Sequence, residues 1–304
     1  MSNKKAPAFL QKGDKIAIVS TARSISQAEI QPSVKLFESW GLKVFIGDHI
    51  HSVDRQFAGT DDDRLADLQK AMNDPEVKAI VCSRGGYGTA RLLDKLDLGQ
   101  FRNSPKWVVG YSDITALHLH MYNHTDWCTI HGTMPINIKS TPTDAQQLSI
   151  SSLRDLLFGK KKSYQLVNHP LNRPGDMSGT VLGGNLSMIY SLLGSPSCPD
   201  FESCILFLED LDEYLYHVDR MMLNIKRNGI LDKLSGVLVG SMSDMNDNTI
   251  PFGKTAEEII SEHLAEFDYP VYFGFPAGHQ DLNLAMPFGS KCVVEQNKFT
   301  PVVI

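Results

Sequence analysis

"WVVGYSDITALHLHMYNH", residues 107–124, runs through three apolar residues to Gly110 and then sets Ser112 and Asp113 where a helical pattern begins. A strand that turns at a glycine straight into a helix is the building unit of an α/β protein. The unit recurs through the first half. "KIAIVS" (15–20) is a β-branched run followed by "AEIQPSVKLFESWG", whose apolar residues keep helical spacing up to a stop at Gly41. "LKVFIG" reads as a second strand. "DDDRLADLQKAMND" puts three acids at a helix start, where they complement exposed N–H groups, and sets Leu65, Leu68 and Met72 on one face. "VKAIVCS", "KWVVGYS" and "WCTIHG" supply further strands. The rhythm predicts a largely parallel sheet covered by helices, with any ligand site outside the carboxyl ends of its strands.

The texture changes at "DLLFGKKKSYQLVNHPLNRPGDMSG" (155–179), rich in Gly, Pro and Asn. A boundary is expected there, dividing the chain into residues 1–160 and 161–304. Beyond it, "NLSMIYSLLG" and "EYLYHVDRMMLNIKRNG" read as helices, the second stopped by Asn228 and Gly229. "CILFLED", "GVLVGSM", "PVYFGFPAG" and "KCVVEQNKFTPVVI" read as strands.

Composition bounds the function. The 304 residues are 42% hydrophobic and 21% charged, as in a soluble globular protein, and a net charge of −6 with one short lysine run, "GKKK" at 159–162, argues against nucleic acid or a membrane surface as partner. Small molecules or peptides fit better. The N-terminus lacks the apolar core of a secretory signal, and no stretch approaches the length of a membrane span. Five cysteines, odd in number and without CxxC spacing, fit free thiols in a reducing compartment, so the expected location is cytoplasmic, with no structural disulfide or zinc.

Ser112 has the context of a nucleophile elbow: a tight turn lifts the hydroxyl off the sheet and aims the next N–H, that of Asp113, at a developing oxyanion. The closing glycine of G-x-S-x-G is missing, and Ser-Asp is also an ordinary helix N-cap. The segment alone leaves both readings open. A second turn, "SRGGYGTARLLDKLD" (83–97), lets backbone at Gly85 and Gly86 approach a ligand and offers N–H groups to an anion, although it lacks the Lys-Ser/Thr of a P-loop. A plain glycine turn is the alternative. A serine nucleophile needs a base and an acid to orient it. His279 in "GFPAGHQDLN" follows a strand and a Gly/Pro turn that can present an imidazole to a cleft. Glu209 ends the apolar run "CILFLED", where it is shielded enough to hold an imidazole in one tautomer; Asp210 and Asp212 compete with it. His118, His120 and His124 suggest a metal, but only the last two share a helical face and no H-E-x-x-H is present, so no metal or cofactor is expected.

Together these segments resemble the LD-carboxypeptidase family, the muramoyltetrapeptide carboxypeptidases of murein recycling. The likeness runs through "KGDKIAIVS", "DDDRLADLQKAMNDPEVKAIVCSRGGYGTARLLDKLD", "VVGYSDITALH", "HGTM", "LGGNLSMIYSLLGSP", "LFLEDLDEYLYHVDRMM" and "GFPAGHQDLNLAMPFG". The resemblance implies a flavodoxin- or Rossmann-like N-terminal domain, a β-rich C-terminal domain, and an active site in the cleft between them. It implies Ser112 as nucleophile, Glu209 as acid and His279 as base, with a murein tetrapeptide losing its terminal D-alanine, in a cytoplasmic homodimer. Asp113, Gly85 and Gly86 would hold the oxyanion. Arg84, or else Arg220, would bind the terminal carboxylate, which an arginine fork suits. Two segments depart from the family pattern: "STAR" (20–23) replaces Ala-Pro-Ser, and Thr133 stands where "HGPM" is commoner. A self-immunity peptidase acting on an aminoacyl or peptidyl nucleotide, or a non-enzymic small-ligand binder, would use the same cleft.

Overall fold

Strands buried on both faces need a continuous apolar run rather than alternation, and the runs of the first half form such strands except at the sheet edge, where one is only half-buried. The computed structural model describes residues 4–302. The first half comprises β1 (Lys15–Val19), α1 (Gln27–Ser39), β2 (Lys43–Ile46), α2 (Asp61–Asn73), β3 (Val77–Cys82), α3 (Gly99–Asn103), β4 (Trp107–Gly110), α4 (Thr115–His124), β5 (Thr129–His131) and α5 (Asp144–Leu157). The second half comprises β6 (Tyr164–Gln165), β7 (Met177–Asn185), α6 (Leu186–Leu192), β8 (Cys204–Leu211), α7 (Leu215–Arg227), β9 (Gly236–Ser243), α8 (Ala256–Leu264), β10 (Val271–Phe273), β11 (Met286–Phe288), β12 (Lys291–Glu295) and β13 (Lys298–Pro301).

The first sheet has the order β11-β5-β4-β3-β1-β2, with β1 to β5 parallel and β11 antiparallel against β5. Its last strand therefore comes from the C-terminal half of the chain. Chain direction across the sheet reverses between β1 and β3, and a crevice opens at such a point. There the hydroxyls of Ser20 and Ser83 meet at 2.6 Å and those of Thr21 and Thr89 at 2.8 Å. The second sheet has the order β10-β9-β8-β7-β12-β13-β6. Its β7 to β10 are parallel and joined by α6, α7 and α8, while β12, β13 and β6 extend it antiparallel.

Helix starts follow local chemistry. α1, α2, α5 and α8 each open on a reciprocal capping box, Ser26 with Glu29, Thr60 with Asp63, Thr143 with Gln146, and Thr255 with Glu258. In α2 the packed face is rotated from the expected one. Leu68 and Met72 are buried, but Leu65 is only half-buried, and Arg64 and Asp67 go inside instead. Both find partners there: the Arg64 guanidinium donates to the carbonyls of Thr21 (2.6 Å) and Gly88 (3.1 Å), and Asp67 accepts from the His49 N–H at 2.8 Å. Buried charge is tolerated because it is bonded. The turn after β3 runs into a 3₁₀ helix, Thr89–Lys95.

One apolar core covers the face of the first sheet under α1 and α5; a larger one runs from its other face through α4 into the second sheet. α4 is consequently buried on all sides from Thr115 to Tyr122. His118 sits in that core as a neutral ring on the Gly110 carbonyl at 2.9 Å, its pKa pushed down to about 4 by burial.

β7 and β8 pair with Gly183 opposite Phe207, and Gly183 has φ 137°. A methyl group there would run into the Phe207 backbone, which has no room to retreat inside a sheet. Gly183→Ala is expected to destabilise the protein by about 3 kcal/mol, combining overpacking with a disfavoured backbone angle. Urea denaturation measures it.

Candidate active site

The end of β4 decides what Ser112 does. A capping serine has extended backbone and accepts from an N–H two or three residues on. Ser112 has instead φ 64°, in the left-handed region, and opens the 3₁₀ turn Ser112–Ile114 that leads into α4. Neither the turn nor α4 has a side-chain cap. A left-handed serine costs about 1–3 kcal/mol and persists only where its surroundings enforce it. Its hydroxyl oxygen lies 3.1 Å from Nε2 of His279.

His279 stands on the loop after β10, and three contacts fix that loop. The Gly278 N–H donates to Asn283 Oδ1 at 3.0 Å, the Ser243 hydroxyl donates to the His279 carbonyl at 2.7 Å, and the Tyr111 ring packs 5.0 Å from the imidazole. On the far side of the ring, Nδ1 is 2.7 Å from Glu209 Oε2. Glu209 sits at the carboxyl end of β8 with its side chain wholly buried. Burial opposes a charge on His279, but the Glu209 carboxylate, through its field and its hydrogen bond, and Asp210 beyond it together hold the imidazole above its ordinary value.

The three acids of "LEDLD" thus separate by direction. Asp210 points away from the imidazole and accepts from Asn185 Nδ2 (2.7 Å) and from the Ser187 (2.8 Å) and Leu211 (2.8 Å) N–H groups. Burial, reinforced by the neighbouring Glu209 charge, pushes it up to about 7. Asp212 accepts from Asn246 Nδ2 at 2.7 Å and steadies a loop.

The glycine turn after β3 closes over Ser112. A Cβ on Gly85 would fall 3.1 Å from the Ser112 hydroxyl and 3.4 Å from the Asp113 nitrogen, so a side chain there would crowd the serine. Gly86 lies against the Arg23 side chain. Asp113 turns its carboxylate inward and accepts the Thr89 N–H at 2.9 Å, tying this turn to the Ser112 turn. Burial raises the Asp113 pKa against those hydrogen bonds.

The two arginines and the α4 histidines have partners of their own. Arg84 Nη1 donates to the Ser24 carbonyl at 3.1 Å, and Arg220, on α7, rests over the Tyr216 ring at 5.1 Å. His120 meets Ser197 at 2.9 Å, and its ring lies tilted 4.4 Å from that of His124. Among the described residues no group of three or more His, Cys, Asp or Glu is arranged to hold a metal, and no helix is long and apolar enough to cross a membrane. A polar cavity of about 190 Å³ adjoins His279, lined among others by Tyr111, Thr133, Lys139, Gln280 and Asn283. Of these, sequence reading marked only Thr133, as a departure in "HGTM".

Two family models match the chain, the LD-carboxypeptidase N-terminal domain over residues 16–132 and the LD-carboxypeptidase C-terminal domain over residues 178–294. The chain belongs to the LD-carboxypeptidase family. Relatives include the probable murein peptide carboxypeptidase of Bacillus subtilis, 32% identical over 98% of this chain and 93% of that protein. The murein tetrapeptide carboxypeptidase of Pseudomonas aeruginosa is 29% identical over 93% of this chain and 94% of its own length. Among solved structures, the muramoyltetrapeptide carboxypeptidase from Oxalobacter formigenes superposes with a TM-score of 0.83 at 27% identity, covering 94% of this chain and 97% of its own. The microcin C7 self-immunity protein MccF, solved with aspartyl sulfamoyl adenosine, shares the LD-carboxypeptidase fold with a TM-score of 0.87 at 24% identity, covering 98% of each chain.

The His279–Glu209 pair makes a prediction independent of turnover. By NMR, His279 titrates above the ordinary imidazole value of 6.5, because its protonated form gains from Glu209. In Glu209→Gln burial is left as the main influence, and the midpoint falls below 6.5.

Proposed function

We propose that this chain is a serine-type LD-carboxypeptidase that removes the terminal D-alanine of a murein tetrapeptide, working in the cytoplasm as a homodimer without metal or cofactor. Residues 1–160 would supply the nucleophile Ser112, and residues 161–304 the acid Glu209 and the base His279. The observation that carries the reading is the unbroken row of hydrogen bonds from Ser112 through His279 to a carboxylate with no exposed surface. A binding protein has no need of a strained serine aimed at an imidazole. The names of the B. subtilis and P. aeruginosa relatives support the substrate.

The chemistry follows from the geometry. Ser112 Oγ attacks the carbonyl carbon of the third residue while its proton passes to His279 Nε2. Glu209, bonded at Nδ1, holds the ring in the tautomer that leaves Nε2 free to accept, and stabilises the imidazolium that forms. Negative charge growing on the carbonyl oxygen is met by N–H groups of Asp113 and of the Gly85–Gly86 turn, which are fixed before the reaction begins. The imidazolium then protonates the leaving amine, the C–N bond breaks, and D-alanine departs. Water repeats the sequence on the acyl-enzyme and returns Ser112 to its starting state.

Electrostatics sets the pH response. Only the neutral imidazole can take the proton, and Glu209 raises the pKa of the ring, so kcat/KM should rise through a midpoint above 6.5 rather than below it.

Ser112→Ala should lower D-alanine release from a murein tetrapeptide at least about a thousand-fold while the urea midpoint stays within error. Mass spectrometry of the released amino acid makes the measurement, and release at the wild-type rate would remove Ser112 from the mechanism. Cleavage of an aminoacyl sulfamoyl nucleoside in place of the tetrapeptide would move the assignment to a self-immunity peptidase.

A further inference from the structure

We infer that the cavity beside His279 receives the terminal carboxylate of the peptide, with Lys139, Thr133 and Asn283 as the groups that read it. The inference rests on the peptidase reading of the same site, and adds to it where the last residue of the substrate lies. The cavity lies beside the reacting groups: Tyr111, which lines it, packs its ring 5.0 Å from the His279 imidazole. Its volume is about 190 Å³.

Its polar groups divide into those already engaged and those left over. The Tyr111 hydroxyl donates to Asn137 Oδ1 at 3.2 Å. The Asp281 carboxylate accepts from Gln146 Nε2 at 3.0 Å and from the Thr143 hydroxyl at 3.4 Å, at the start of α5. The Ser149 hydroxyl donates to the Ala145 and Asp281 carbonyls and accepts the Asn283 N–H at 2.8 Å. Left over are two side-chain atoms that are buried and have no protein partner among the described residues, Thr133 Oγ1 and Asn283 Nδ2.

The orientation of the Asn283 amide is fixed. Its Oδ1 accepts the Gly278 N–H at 3.0 Å and lies 3.2 Å from His131 Nε2, so the NH₂ end is the one left unused. The Lys139 ammonium gives one bond, to the Ile136 carbonyl at 2.9 Å, out of the three it can make. The donors that remain are the exposed Lys139 ammonium, the buried Asn283 amide and the buried Thr133 hydroxyl, beside the exposed Gln280 amide and the engaged Asp281 carboxylate. Donors gathered beside a nucleophile call for an acceptor-only anion, and a carboxylate is that group. Arg84 lies outside this cavity and spends a donor on Ser24.

The test compares a tetrapeptide ending in D-alanine with the same peptide ending in D-alaninamide, titrated calorimetrically into the Ser112→Ala protein, which cannot turn either over. The acid should bind at least about tenfold tighter, the scale of one charge-assisted contact of about 1.4 kcal/mol. Adding Lys139→Gln and Thr133→Val should bring the two peptides within about twofold of each other, and adding Arg84→Ala instead should leave the preference in place. Far-UV circular dichroism checks that each variant folds, and the single substitutions replace any double variant that does not. Equal binding of acid and amide by the parent, absence of binding included, overturns the inference, as does a preference that survives loss of Lys139 and Thr133 or that vanishes with Arg84. Wild-type turnover is read separately: a chain that shows the predicted preference but releases no D-alanine keeps the carboxylate cavity and loses the peptidase reading.

Discussion

A carboxylate with no exposed surface is the constraint around which the site is organised. An unpaired charge at the end of β8 would cost several kcal/mol, and the partner that offsets it, His279, arrives from a loop 70 residues further along the chain. That loop therefore has to close on Glu209 in the folded state. Gly278 makes the approach possible, since a side chain there would meet Glu209 at 2.9 Å. Once the imidazole is held at Nδ1, its other nitrogen can face in only one direction, and Ser112 stands in that direction because a left-handed turn puts it there. The geometry of the site is thus a chain of consequences from one buried charge.

The two sheets share the work of keeping that geometry rigid. α4 fills the space between them and is buried from Thr115 to Tyr122, so the turn carrying Ser112 cannot tilt without disturbing the packing around it. Thr115, at the first position of α4, accepts the backbone N–H of Asn185 at 3.0 Å, and Asn185 in turn donates to Asp210 beside Glu209. The nucleophile and the acid are therefore joined a second time, by polar bonds behind the site. Asp113 does the same for the glycine turn. None of these side chains touches the place where a substrate carbonyl would sit; they hold the groups that do.

Much of this was legible in the sequence because buried parallel strands leave uninterrupted apolar runs, and the acid, glycine and serine positions fall at their carboxyl ends. What sequence alone could not decide was direction. Glu209, Asp210 and Asp212 look alike in one dimension, and only the packing around β8 turns the first toward the imidazole. α5 escaped notice because its inward face carries Ser149 and Ser152, which bond to the backbone of Asn283 and Ala285 and interrupt the apolar stripe. In α2 the same effect, through Arg64 and Asp67, rotated the packed face away from Leu65. β11 is three residues long, too short for any periodicity. The cavity beside His279 is assembled from several separated segments, so no spacing along the chain announces it.

The antiparallel contribution of β11 to the first sheet has a consequence for biogenesis. While the chain is still emerging from the ribosome, β5 has no neighbour on its outer side, and its hydrogen-bonding edge stays open until residues near the C-terminus are made. Synthesis of Met286–Phe288 therefore seals a strand laid down long before, and a product truncated ahead of it would leave an adhesive edge rather than a quiet, self-contained half.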